Sequence, residues 1–258
     1  MITHAVIPAG GFLDAAYRKE AGVEYRALAP IGGIPTLQRV VNSLRDAGIE
    51  HIVAVADPAV QERISGVDVW AQASSTGSAN ILLGMQHVPQ ASQVLMCPCD
   101  LPDLDPDDIR RFLSGCEPET DLMLGLVSAD AYLAAYPDGP PSEFIALRDF
   151  GLVGNSSALI VRPSVLLGSG SLLKQCFESR KSQVRLALLL GPRLLWAYCT
   201  RSLTAAGVIS RVESVLGCRA GVIADAPPGL SFDIDSVHDY IYARSRIGLS
   251  HGNASPEY

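Results

Sequence analysis

Apolar and polar positions alternate in blocks along the first half of the chain. HAVIP (4–8), HIVAVA (51–56), VDVWA (67–71), QVLMC (93–97) and DLMLGLV (121–127) are short, nearly continuous apolar runs of strand length. Stretches with helical spacing lie between them. PTLQRVVNSLRDAG (35–48) carries apolar residues at 37, 40, 41 and 44 and stops at Gly48. Further helices are predicted over 58–65, 78–87 and 105–115, the last with acidic residues in its first turn, where the helix dipole favours them. Buried strands alternating with helices predict a mainly parallel sheet covered on both faces, a Rossmann-like three-layer α/β/α arrangement.

The pattern then changes. A turn-rich crossing, YPDGPPSE (136–143), leads to two further strands predicted at 144–149 and around 158–163. Residues 164–217 are mostly helical in pattern, RAGVIA (219–224) and LSFDI (230–234) return to strand, and a helix over 236–248 follows. This predicts one domain over 1–248, with a helical insertion at 164–217 before the last strands and a loose tail at 249–258. One segment fits neither period. After the first strand, roughly twenty residues pass before the next helix, and irregular stretches of that length are usually functional or disordered.

Composition narrows the choices. With 48% hydrophobic and 18% charged residues there is ample material for a core. The formal net charge of -7 provides no global attraction for nucleic acid or anionic membranes, so a phosphate ligand would need a local site. Only Lys19, Lys174 and Lys181 are lysines, which leaves phosphate contacts mainly to arginines and backbone amides. MITHAVIPAGG lacks the basic leader and apolar stretch of a signal peptide, and VRLALLLGPRLLWAYC is broken by Gly191, Pro192 and Arg193. A soluble, cytoplasmic protein without nucleic-acid or membrane partners is expected. The six cysteines (97, 99, 116, 176, 199, 218) suit reduced, mostly buried thiols, and Cys97-Pro98-Cys99 lacks the second pair of a zinc site.

In open parallel sheets, ligands bind beyond the C-terminal strand ends. Four such ends stand out: Pro8-Ala9-Gly10-Gly11, Gln72 to Asn80, Pro98-Cys99-Asp100-Leu101-Pro102 and Asp233-Ile234-Asp235-Ser236. Two are small, amide-exposing or hydroxyl-bearing, and two carry carboxylates. Glycine-rich turns offer N–H groups to phosphate oxygens, and carboxylates hold the Mg²⁺ that bridges those phosphates. A G-x-G-x-x-G fingerprint and a G-K-[ST] P-loop are both absent.

The order of these motifs resembles that of MobA-like NTP transferases, nucleotidyltransferases of the GT-A-type fold. The resemblance rests on Ile7-Pro8-Ala9-Gly10-Gly11, then Tyr25-Arg26-Ala27-Leu28-Ala29-Pro30-Ile31-Gly32-Gly33-Ile34-Pro35. Cys99-Asp100-Leu101-Pro102 and Phe232-Asp233-Ile234-Asp235-Ser236 follow in family order, and Gly154-Asn155-Ser156 resembles a turn that faces the acceptor or ribose. Arg26 stands where the family has lysine, Gly11 is followed by Phe12-Leu13-Asp14, and Val237-His238 replaces the usual Pro-Glu.

The resemblance implies transfer of an NMP from an NTP to a phosphorylated small-molecule acceptor, with pyrophosphate released. It implies Mg²⁺ on Asp100 and Asp235, with Asp233 as second choice. Ala9, Gly10, Gly11 and Arg26 would wrap the triphosphate, Gln72, Thr76 and Gly77 would read the base, and Asn155 would face the acceptor. The long segment is then a triphosphate-binding loop. Two rivals stay open: a catalytically weakened nucleotide-binding module, and a glycosyltransferase using Asp233 and Asp235, or Asp103 and Asp105, on a nucleotide-sugar.

Overall fold

The computed structural model describes residues 2–140, 142–170, 172, 174, 175 and 191–252. Its apolar runs form parallel strands: β1 (His4–Pro8), β4 (His51–Ala56), β5 (Val69–Gln72), β6 (Val94–Met96), β7 (Leu122–Ser128) and β10 (Ala220–Ile223). With β8 (Ile145–Leu147) and β9 (Gly151–Val161) they make an eight-stranded sheet of order β10-β7-β9-β6-β1-β4-β5, β8 pairing with β9. β9 runs antiparallel to both its neighbours. A small ribbon of β2 (Pro30–Ile31) and β3 (Ile34–Pro35) lies outside the sheet.

Both faces of the sheet are covered, which is why its strands are apolar on nearly every residue. Ala5 and Ile7 belong to a cluster with Leu37, Val40, Val41 and Leu44 of α2 (Thr36–Asp46) and with Ile109 and Phe112 of α5 (Pro106–Ser114). Val6 and Val53 face the other way, onto Ile81 and Met85 of α4 (Gly77–Gln86) and Leu166 of α7 (Pro163–Gly168). The helix expected over 58–65 is the short α3 (Pro58–Gln61), capped by Asp57. The three-layer, mainly parallel architecture is as expected.

The long segment after β1 is more ordered than its sequence suggested. It contains a short helix, α1 (Ala15–Ala21), capped by the Asp14 carboxylate, which accepts from the Tyr17 N–H at 2.9 Å. Gly22 ends it in the left-handed conformation at φ 71°, which glycine adopts without steric cost. Tyr17 is buried against Tyr240 of α10 (Val237–Gly252), ring centroids 5.0 Å apart. Cap and stop were both legible as Asp14 and Gly22, but seven residues are too few to show a helical period.

Three other expectations change. A second unexpected helix, α6 (Ala129–Ala135), starts at the Ser128 cap. LSFDI is no strand: a 3₁₀ turn at Pro228–Leu230 leads into a segment without strand pairing, so β10 is the last strand described. Gly154-Asn155-Ser156 is no turn but lies within β9, beside a register shift between Leu124 and Leu126. The described parts of 164–217 form α7, α8 (Pro192–Cys199) and α9 (Ala205–Leu216); residues 171, 173 and 176–190 of that segment lie outside the described residues. The last helix reaches Gly252, past its expected end at 248, and 253–258 of the expected tail are likewise outside.

Candidate active site

β1 and β6 are adjacent and parallel, so the residues following each emerge side by side at one edge of the sheet. After β1, Ala9 is fully buried and donates its N–H to the Val55 carbonyl at 2.8 Å. Gly10 then passes so close to α4 that a Cβ would stand 2.5 Å from Asn80 Nδ2 and 2.7 Å from Ala73 Cβ. Glycine is required there by space. Gly11 has room: the nearest atoms to its would-be Cβ are Arg26 Cβ and Nε, at 4.0 Å.

Arg26 returns to this turn from the far end of the long segment. Its backbone N–H donates to the Gly11 carbonyl at 3.0 Å, next to the Phe12–Tyr25 bridge, and so closes the excursion around α1. Its guanidinium enters the space beyond the strand ends. One terminal nitrogen, Nη1, donates both to Asp100 Oδ2, at 3.0 Å, and to Asp235 Oδ1. Burial works against the guanidinium charge, but the Asp100 and Asp235 carboxylates outweigh it and hold Arg26 protonated.

The two acidic segments meet through the backbone. Asp100 follows β6, and its carbonyl accepts the Ile234 N–H at 3.0 Å, which sets Asp233 and Asp235 beside it. Phe232 and Ile234 are buried while Asp235 is exposed, an alternation that anchors this segment without a strand ladder. Asp233 Oδ2 accepts from the Ser157 hydroxyl at 3.1 Å. Burial, then the charges of Asp100 and Asp235, raise Asp233 to about 7. Asp100 is also raised, by burial foremost, with Arg26 opposing.

The cluster leaves two buried polar atoms without partners: Asp100 Oδ1 and Arg26 Nε. Each such atom costs about 1–3 kcal/mol unless a ligand satisfies it. A bare carboxylate oxygen on Asp100 next to the exposed Asp235 suits a hard divalent cation. Among the described residues no group of three or more His, Cys, Asp or Glu is gathered for a metal. Two carboxylates agree with Mg²⁺, which is commonly held by one or two carboxylates together with substrate phosphates.

The residues expected to read a base sit at the next strand but one. Gln72 ends β5 and is exposed, as are Thr76 and Gly77. Thr76 caps α4, its Oγ1 accepting from the Ala79 N–H at 3.3 Å. Asn80, within the expected segment but not singled out, is the residue that joins this loop to Gly10. It is 4% exposed, and its Oδ1 accepts from the Ser74 N–H at 2.7 Å. A polar residue at an apolar helical position was the available signal.

Asn155 is not brought to the acidic cluster by any side-chain contact. It is exposed on β9, lines a separate cavity of about 110 Å³ with Leu126, Val153 and Leu203, and accepts Ser231 Oγ at its carbonyl. Ser157, two residues on, was missed. It lies between Asn155 and Leu159, where β9 slips against β7, and its hydroxyl bonds Asp233; such an irregularity leaves no periodic signal in sequence.

A model of the MobA-like NTP transferase domain matches residues 5–175. The chain belongs to that family. No curated protein matches it in sequence. Among solved structures, a hypothetical transferase from Thermus thermophilus superposes with a TM-score of 0.82 at 24% identity, covering 93% of this chain and 100% of that one. A CMP:2-keto-3-deoxy-manno-octonic acid synthetase complexed with CTP gives 0.61 at 17% identity, covering 97% and 100%. The 2-C-methyl-D-erythritol 4-phosphate cytidylyltransferase of Thermus thermophilus gives 0.55 at 14%, covering 95% and 98%. These likenesses establish the GT-A-type nucleotidyltransferase fold. Among the described residues, no helix is long and apolar enough to cross a membrane.

Proposed function

We propose that this chain transfers an NMP from an NTP to a phosphorylated small-molecule acceptor in a Mg²⁺-dependent reaction. The observation that carries the reading is the convergence of Arg26, Asp100 and Asp235 beside the Gly10–Gly11 turn. An acceptor phosphate oxygen attacks the α-phosphorus and forms the new P–O bond. The bond from the α-phosphorus to the bridging oxygen breaks, and pyrophosphate leaves with that electron pair.

Asp100 and Asp235 would hold Mg²⁺, which would supply positive charge against that of the reacting phosphates. The chain's other residues position. The Gly10 and Gly11 amides and the Arg26 guanidinium receive the β- and γ-phosphates; the Ala9 amide, expected with them, is already taken by the Val55 carbonyl. Gln72, Thr76 and Gly77 border the base, with Asn80 holding their loop against Gly10. The acceptor approaches from β9, where Asn155 and the Ser157–Asp233 pair stand. Asp233, already bonded to Ser157, ranks behind the other two carboxylates as a ligand.

The test is pyrophosphate release with each of the four NTPs and Mg²⁺ across sugar phosphates, polyol phosphates and pterin phosphates. Release with one NTP and one acceptor supports the reading and names the substrates. No release, with Mg²⁺-dependent thermal stabilisation by a nucleotide, replaces it with a binding module.

A further inference from the structure

We infer that Arg26 is a two-position side chain that shares its carboxylates with the metal: it stands between Asp100 and Asp235 until nucleotide draws it to the phosphates, releasing both carboxylates to the cation. This rests on the function proposed above. Three observations lead to it. The guanidinium lies between the two carboxylates that fit a cation, so it holds the place where that positive charge is needed. A second positive charge cannot join it there without repulsion. The two occupants exclude each other.

The attachment is also a weak use of an arginine. Both carboxylates are met by Nη1 alone, rather than by the paired nitrogens that make an arginine–carboxylate fork strong. Asp235, one of the two partners, is 67% exposed. Finally, the unsatisfied atoms point to the second position. Arg26 Nε is buried without a partner and lies 4.0 Å from the Cβ site of Gly11, beside the turn proposed to hold phosphate. Asp100 Oδ1 is the matching bare acceptor. Exchange of Arg26 for a cation at the carboxylates, and of Asp100 for phosphate at Arg26, satisfies both.

The consequence is thermodynamic. Metal alone must displace Arg26, whereas metal arriving with a triphosphate finds the guanidinium a new partner, so the two ligands bind cooperatively. The experiment titrates Mn²⁺ into the full chain by electron paramagnetic resonance, without nucleotide, in the wild type, R26Q, D100N and R26Q/D100N. R26Q is expected to bind Mn²⁺ about 10-fold or more tightly than wild type, and D100N to abolish that gain. Mn²⁺ affinity in R26Q equal to or below wild type overturns the exchange. Mn²⁺ binding that D100N leaves unchanged in both backgrounds sinks the underlying site assignment instead. In the wild type, the Arg26 Nε–H resonance is expected to shift with inorganic pyrophosphate, and an unmoved resonance also overturns the proposal. That second measurement stands even if R26Q does not fold.

Discussion

Two arginine–carboxylate clusters flank the segment from Asp100 to Asp103, and they are built differently. On one side, Arg26 is held by Asp100 and Asp235 through one nitrogen. On the other, Arg246 lies 3.5 Å from Asp103, donates to the Ala135 carbonyl at 2.8 Å, and stacks over Tyr136 and Tyr242 at 4.9 and 5.7 Å. The second cluster borders a groove of about 410 Å³ that also holds Arg39, Asp105 and Asp108. Both sides bring an arginine to aspartate. What differs is the kind of further partner: rings and a carbonyl cannot be exchanged for a ligand, whereas carboxylates can accept a cation instead. Arg246 fastens α10 to α6; Arg26 can be replaced.

The comparison is most severely tested by Asp100→Asn. Loss of this carboxylate removes half the cation site, and pyrophosphate release is expected to fall about 100-fold or more with the melting temperature little changed. Unchanged turnover would return Asp100 to an ordinary loop residue. Arg26→Gln comes next: release should drop about 10- to 100-fold, with a raised KM for NTP, as expected for a lost phosphate contact. A drop in kcat with KM untouched would point to a role away from the triphosphate.

Gly10→Val acts through packing. Its side chain must displace Asn80 or Ala73, which should cost about 1–3 kcal/mol in urea unfolding and weaken nucleotide binding together. Arg246→Ala sharpens the contrast from the other cluster. It is expected to cost about 1–2 kcal/mol of stability from its lost ring and carbonyl contacts while release stays near the wild-type rate.

The last test is in pH. Asp233 rises from its ordinary 3.8 to about 7, so the native state binds this proton more tightly than the unfolded chain. Its contribution to stability is complete below about pH 4 and is lost as pH rises through 7. Asp233→Asn should therefore flatten the fall in unfolding free energy between about pH 4 and 7. An identical slope in both proteins would show that Asp233 does not titrate in that window.

Much of the architecture was legible before any coordinates. The strand runs at 4–8, 51–56 and 121–127 and the stripe of α2 are long or apolar enough to announce themselves, since burial on both sheet faces excludes polar residues. α1 and α6 were not, because seven residues hold too little period, although Asp14 and Ser128 capped them in plain view. LSFDI has the alternation of a strand because its apolar residues are buried, yet it has no ladder of partners. Burial and pairing leave the same trace in sequence, and only one of them makes a strand.

For the site, sequence alone determined the candidates: small residues after β1 and β5, acidic ones after β6 and ahead of α10. They stood out because phosphates and cations require such residue types. Tertiary structure decided who meets whom. Arg26, Asp100 and Asp235 are brought together across separations of 74 and 209 residues, and Ser157 meets Asp233 from a stretch of β9 that slips in register. Such contacts depend on the order of strands and on local slips between them. Side-chain type is written at each position, but distance between remote positions is settled only when the strands take their order in the sheet.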